Sequence, residues 1–419
     1  MLLSHKSTIK VSDAYANIIG HMCYAAYKLW NVCNYERIHY EELGLPVDYP
    51  DWYYQKSAHK DDMWFKQLPS QTAQEVCKLL DKSWKSFYKL KRTGGIRNPQ
   101  PPGFKNSGIA ITYMQNGISH EAGSDTIRLS VPKQLKIFMS DTYGISDNYL
   151  FLKNPIFKDT DTIKQIKLYP PEKGECSIIV IYEIPDVTKL PDNGNQLSID
   201  LGLHNLMTCY NSASGETFIV GRKYLATCRY FNKEIARVQS QWSLQQSKHG
   251  IRYPKLSKHI LRLYKKKADS INDYLHKVTR QIVNYCKENN ICTVVIGAIT
   301  NIRRDNDLGA VTNQKLHSLP YHKLYIMLEY KLAKEGISFH KQSEQYTSQT
   351  SPLKPCVTKE NANKSNRVER GLYKDGIYTW NADCVGAYNI LRKYREENNI
   401  DIETDPMHIK TPFILKVAV

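Results

Sequence analysis

The sequence predicts a chain of several domains: a small β-barrel or sandwich with helices inserted into it, then an α/β domain with a mixed sheet. Three observations carry this. Residues 106–185 break into short segments that alternate apolar and polar residues, separated by turn residues. Two earlier stretches, 12–43 and the one after Pro69, follow the helical period instead. In the second half, strand-length apolar runs at 197–203 and 292–299 are set among long charged helices. At 419 residues and 48.4 kDa the chain exceeds one compact core, so two or three domains are expected.

Taken in order, Ser7–Val11 reads as a short strand, and the helix after it sets Ile18, Ile19, Met22, Leu29 and Trp30 on one face. GLPVDYPD at 44–51 breaks that helix. Ser70 is a plausible N-cap for a long helix with Val76, Leu80, Trp84 and Phe87 along its apolar stripe, ending in basic residues and two glycines. Its other face carries Gln71, Gln74, Lys78, Lys82 and Lys85, a pattern that suits either plain solvation or a helix laid on a duplex. After the proline-rich hinge 97–105, strands are expected at IAITYMQ, TIRLSV, QLKIFM, TIKQIKLYP and CSIIVIYEI. LPDNG at 190–194 is a linker into LSIDLGLHNLMTCY, read as a half-buried strand with Asp200 on its non-core face. A second strand at 216–221 is expected to pair with it, followed by helices over 224–246 and 255–287. Cys292–Ile299 reads as a buried parallel strand, 320–336 as an amphipathic helix, 337–348 as a strand, and Asp383 as the start of a last helix.

Lysine and arginine outnumber acids by 58 to 41, a net charge of +17 with a pI near 9.2, which points to an extended anionic partner such as nucleic acid. Tyrosine, at 29 residues, suits base stacking, although most tyrosines serve as ordinary half-exposed core. No stretch resembles a signal peptide or is apolar enough to span a bilayer, and the ten scattered cysteines contain no C-x-x-C. Reduced thiols and a cytoplasmic protein of a prokaryote are expected.

Asp200 in a strand, Glu344 near a strand end and Asp383 at a helix start can converge on one edge of an α/β sheet. Three such carboxylates can hold two Mg²⁺ ions about 4 Å apart for phosphodiester hydrolysis. Spacing alone fits three unrelated surface acids as well.

SIDLGLHN, NADCVGAYNIL and the order of elements between them resemble the RuvC-like nuclease domain of transposon-encoded TnpB proteins and their type V CRISPR descendants. LPSQTAQEV, PGFK, NQKLHSLPYHKLYIMLEYK, SEQYTSQTS and RGLY extend the resemblance over nearly the whole chain. It implies a β-barrel wedge module (1–11 and 96–190) with an inserted helical recognition domain (12–95), and a RuvC, RNase H-like nuclease domain (195–344 and 381–395). A target-nucleic-acid-binding insertion (345–380) and a C-terminal tail (396–419) complete the division. The implied activity is Mg²⁺-dependent RNA-guided DNA cleavage beside a short flanking motif, with Mn²⁺ as a substitute. Guide RNA and target double-stranded DNA are the partners, and a monomer on RNA is expected, a dimer being the alternative. Asp200, Glu344 and Asp383 would be catalytic metal ligands, and Gln71 and Gln74 would read the flanking motif. Lys78, Lys105, Arg262, Lys265, Lys266, Lys267 and Arg370 would contact nucleic-acid backbone.

Two departures stand out. The family's middle Glu usually follows the buried strand, where this chain has Gly297 and Ala298. Its zinc knuckle usually has four cysteines, where this chain has only Cys356, so no zinc is expected. Either Glu344 replaces the middle ligand, as in a subgroup with the SYTS-like motif, or the protein is a nuclease-inactive, repressor-like guided binder. An unguided RuvC-like transposase or resolvase is the third reading.

Overall fold

The structure, a computed structural model, describes residues 1–94, 96–121, 124–156, 162–299, 319–369, 371–401 and 406–417. It divides into two compact units, Met1–Asp186 and Val187–Val419.

The first unit opens with β1 (Leu2–Lys10) and α1 (Asp13–Ile38), whose first turn is capped by the Ser12 hydroxyl accepting from the Tyr15 amide at 3.2 Å. Short helices α2 (Trp52–Ala58) and α3 (Met63–Lys66) lead to α4 (Ser70–Thr93). Pro69 rather than Ser70 takes the α4 cap position, and the helix stops on Gly94 at φ +64°, a left-handed backbone that favours glycine. Strands β2 (Ile111–Met114), β3 (Ile118–Ser119) and β4 (Thr126–Ser130) follow, then α5 (Lys133–Tyr143), β5 (Tyr149–Lys153), β6 (Thr162–Leu168) and β7 (Glu175–Glu183). They form an antiparallel sheet of order β1-β7-β6-β2 and a second sheet β3-β4-β5. QLKIFM, expected as a strand, is part of α5. Leu135 and Met139 are its buried residues, a spacing of four that one helical face shares with one strand face, and Gly144 at φ +65° ends the helix.

A buried polar network ties α1 to α2 and α4. The Arg37 side chain, in a residue 2 % exposed, donates to Asp81 at 3.1 Å and to Gln55 at 2.9 Å. Gln55 donates to Glu36 at 2.7 Å, and His59 lies 3.1 Å from the same carboxylate. Asp81 also receives Lys85 at 2.8 Å.

The second unit contains β8 (Gln196–Asp200), β9 (Met207–Asn211), β10 (Thr217–Val220), α6 (Lys223–Ser247), α7 (Lys258–Glu288) and β11 (Thr293–Ala298). Then come α8 (Tyr321–Ala333), β12 (Ser338–Ser343), a hairpin of β13 (Leu372–Asp375) and β14 (Tyr378–Asn381), α9 (Ala382–Glu397) and β15 (Phe413–Ile414). The sheet runs β12-β11-β8-β9-β10-β15 and is mixed, with β11 parallel to both β8 and β12. Alternation sorts its faces. Leu197, Ile199, Val294 and Ile296 pack with apolar residues of α7 and α8, while Val295 and Tyr210 pack with α9.

Three expectations for this unit change. LSIDLGLHNLMTCY is two antiparallel strands joined by a turn, because Gly202 and the polar residues after it break the run, so β10 pairs with β9 rather than β8. The strand expected to reach Ser348 ends at Ser343, and Glu344 starts a turn. The stretch expected as a tail returns as β15, parallel to β10. All ten cysteines are free and nine are buried. No helix among the described residues is long and apolar enough to cross a membrane.

Candidate active site

Register places two of the three acids. Ile296 pairs with Ile199 and Gly297 with Gln342, so Asp200 ends its strand level with Gly297, and Glu344 follows two residues past Gln342. The turn beyond β12 folds tightly: Tyr346 adopts φ +67°, and the Thr347 amide and hydroxyl donate to the Glu344 carbonyl at 3.2 and 2.8 Å. A Cβ at position 297 would lie 2.7 Å from both Cγ and Cδ of Glu344 and against its Oε1. The Glu344 carboxylate therefore fills the space a side chain at 297 would take. The Tyr325 hydroxyl of α8 fixes the backbone there, donating to the Gly297 carbonyl at 2.7 Å and accepting from the Ile299 amide at 3.0 Å.

Asp383 stands in the first turn of α9, where Asn381 caps the Asp383 and Cys384 amides at 3.0 and 3.3 Å. One turn on, Gly386 lets Asp200 approach: a Cβ there would sit 2.8 Å from the Asp200 Oδ2. Asp383 accepts from Asn205 at 2.9 Å and from Arg367 at 3.2 Å. Neither partner was singled out from the sequence. The Asn205 of GLHN and an arginine in the insertion were the available signals.

The helix and the Glu344 turn are fastened together. Asn389 donates to the Thr347 and Thr350 carbonyls at 2.8 and 2.7 Å, and Ser198 of β8 donates to the Ala387 carbonyl at 2.6 Å. From the hairpin, the Tyr373 hydroxyl donates to the Gln349 carbonyl at 3.1 Å.

Among the described residues the electrostatics are those of acids short of cations. Burial, and then the Asp383 charge, push Asp200 up to about 7 against the pull of Arg367. Burial, and then Asp200, push Glu344 up to about 8, and its Oε1 is buried without a hydrogen-bond partner among the described residues. Among the described residues no three ligating side chains are already drawn in around one point. The orphaned Glu344 oxygen and the all-oxygen donor set nonetheless fit a hard divalent cation, which keeps several of its own waters.

Residues 179–303 match the OrfB_IS605 family, described as "Probable transposase", and residues 321–390 match the Cas12f1-like TNB domain. The "Putative RNA-guided DNA endonuclease InsQ" of Escherichia coli (strain K12) is 24 % identical over 352 residues, 81 % of this chain and 78 % of that protein. The chain is similar to TnpB proteins and compact type V effectors. A Cas12f1–sgRNA–target DNA complex contains a chain of the same fold, with TM-score 0.54 and 16 % identity over 94 % of this chain and 84 % of that one. The mixed sheet with its flanking helices, preceded in the chain by a β-module with inserted helices, fits the RuvC-containing multidomain fold of TnpB and Cas12 proteins.

Of the other residues singled out, Gln71 and Gln74 lie in the first turns of α4, where the Gln71 Oε1 is buried without a partner among the described residues and Gln74 donates to Ser70 at 3.3 Å. Lys78 pairs with Glu75 at 3.1 Å and lies 5.5 Å from the Trp52 ring. Lys105 lies 4.7 Å from the Trp30 ring. On α7, Arg262, Lys265 and Lys266 are exposed, whereas Lys267 donates to Asn232 at 2.6 Å. Arg370 lies outside the described residues. Cys356 takes a hydrogen bond from Asn361 at 3.2 Å.

Proposed function

We propose that this protein is an RNA-guided DNA endonuclease that cuts target DNA beside a short flanking motif at the Asp200–Glu344–Asp383 edge. One observation carries the reading. The Glu344 side chain occupies the place of the side chain that Gly297 lacks, within electrostatic reach of Asp200. A glutamate from the turn after the neighbouring strand would thereby serve where the family usually has one just after this strand.

Asp200, Glu344 and Asp383 would hold Mg²⁺ or Mn²⁺. Such an ion supplies Lewis acidity to a phosphate oxygen and a more acidic bound water. Without a cation, Asp200 and Glu344 retain protons near neutrality, and they release them to become ligands. Arg367 and Asn205 orient the Asp383 carboxylate. Gln71 and Gln74 would meet base edges of the flanking motif, and Lys78, Lys105, Arg262, Lys265, Lys266 and Lys267 would neutralise phosphates of guide and target.

The test uses the ribonucleoprotein purified with its own RNA and a matching DNA duplex. Asp200→Ala is expected to retain RNA and target binding and to lose scission; undiminished cutting removes the assignment. The alternative of a guided binder that does not cut finds support in Asp383, which is engaged by Arg367 and Asn205. That alternative predicts target occupancy without strand breaks in Mg²⁺ or Mn²⁺.

A further inference from the structure

The α6–α7 hairpin distributes charge unevenly. Toward the sheet several of its cations have acidic partners, among them Arg237 on Glu234 at 2.7 Å and Lys277 on Asp273 at 3.0 Å. From Val238 to Ala268, which takes in the sheet-distal end of both helices and their connection, there are eight lysines and arginines and no aspartate or glutamate. The chain as a whole has 58 basic to 41 acidic residues, so the segregation is local. Ordinary solvated helix faces mix the signs, as the sheet-proximal part of this hairpin does.

The connection is a built turn. Trp242 Nε1 donates to the Lys255 carbonyl at 2.9 Å, and the His249 and Ile251 amides donate to the Gln246 carbonyl at 3.0 and 3.1 Å. Gly250 supplies φ +75°, and the Ser257 hydroxyl caps α7, accepting from Ile260 at 3.3 Å. On this turn Tyr253 is 83 % exposed, with the Arg252 guanidinium 5.5 Å from its ring centroid. A fixed turn holds an aromatic face in water beside cations that have no ion-pair partner among the described residues. Unpaired nucleotides supply the complement: bases that stack on a ring or a guanidinium plane, and phosphates for the lysines.

We propose that this hairpin tip docks an unpaired stretch of polynucleotide, with Tyr253 and Arg252 stacking a base and Lys248, Lys255, Lys258 and Arg262 taking phosphates. The strand is the guide RNA or the displaced DNA strand, an identity that rests on the function proposed above. The docking chemistry does not.

The test is fluorescence anisotropy of the full chain in EDTA with a labelled oligouridylate and, separately, an oligothymidylate of equal length, about 15 nucleotides each, sized on the ~4–16-nucleotide sites of single-strand binders. Tyr253→Ala is expected to weaken binding about tenfold, the loss of one stacking platform, whereas Tyr253→Phe binds as wild type. Lys255→Ala should lower the slope of log affinity against log salt by about one phosphate contact. A loss confined to the RNA arm assigns the tip to the guide, and a loss confined to the DNA arm assigns it to the displaced strand. Unchanged affinity in both arms overturns the proposal, provided that the melting curves of variant and wild type coincide. If wild type carries no RNA and cuts nothing, yet Tyr253→Ala still weakens oligonucleotide binding, the guided reading fails and this one stands.

Discussion

Buried charge is handled in opposite ways in the two units. Around Arg37 the network is closed: the guanidinium faces Asp81 and Gln55, and Glu36 is held by Gln55 and His59. Burial raises Glu36, but the hydrogen bonds from His59 and Gln55 outweigh it and leave its carboxyl below the usual range. At the sheet edge of the second unit, Asp200 and Glu344 are pushed upward and have no cation of their own among the described residues; the Arg367 guanidinium is spent on Asp383. The first arrangement fixes helices to one another. The second holds an electrostatic deficit that a bound cation would relieve, which is how a site differs from a strut.

The largest effect that tests this contrast is on cutting. Glu344→Ala is expected to slow DNA cleavage about a thousandfold, some 4 kcal/mol of barrier, and adding Gly297→Glu to that variant should recover about tenfold or more. Rates measured on matched duplexes decide it, and a double variant no faster than Glu344→Ala refutes the shared placement. Next come opposite signs in stability. Arg37→Ala leaves buried Asp81 with Lys85 alone, strips Gln55 of its buried donor and should cost about 3 kcal/mol in urea unfolding. Asp200→Asn removes a strained charge and should raise the metal-free melting temperature by about 2–4 °C at pH 8.

A third prediction concerns pH. Folding raises the affinity of Asp200 and Glu344 for protons, from the ordinary carboxylate values of 3.8 and 4.5 to about 7 and about 8. Their contribution to stability is therefore full below the unfolded values and is lost as pH climbs through 7 and 8. Metal-free wild type should lose melting temperature across that window relative to an Asp200→Asn, Glu344→Gln double variant, and Mg²⁺ should narrow the gap. Parallel melting curves would dismiss the deficit. The smallest effect lies on the exposed cation of the first unit. Lys105→Ala should weaken nucleic-acid binding without changing the flanking-motif preference and should reduce the salt slope by about 1.

Much of this was legible in the sequence for definite physical reasons. The near-continuous run Cys292–Ile299 announced a strand paired on both sides, and β11 is parallel to two neighbours. Asp200 and Asp383 carried their positions in local pattern, at a strand end and a helix start. QLKIFM misled because residues four apart share a face in both helix and strand, and nothing local separates the two periods over six residues. The roles of Gly297 and Gly386 were invisible for another reason. A glycine that makes room for a distant carboxylate leaves no mark in periodicity, and the room appears only when β12 lies beside β11 and α9 beside β8. Arg367 and Asn205 were missed likewise, since their common partner is distant in sequence from at least one of them.

The bonds from Asn389 to the Thr347 and Thr350 carbonyls bear on recombination with relatives. One helix both presents an acid and anchors the turn that presents another, so the two are inherited as a unit. A chimera taking residues 382–397 from a relative whose glutamate follows the central strand would lose that anchor unless the 344–351 turn came with it. Exchange of both pieces, together with whatever stands at 297, is the smallest swap that conserves the wiring.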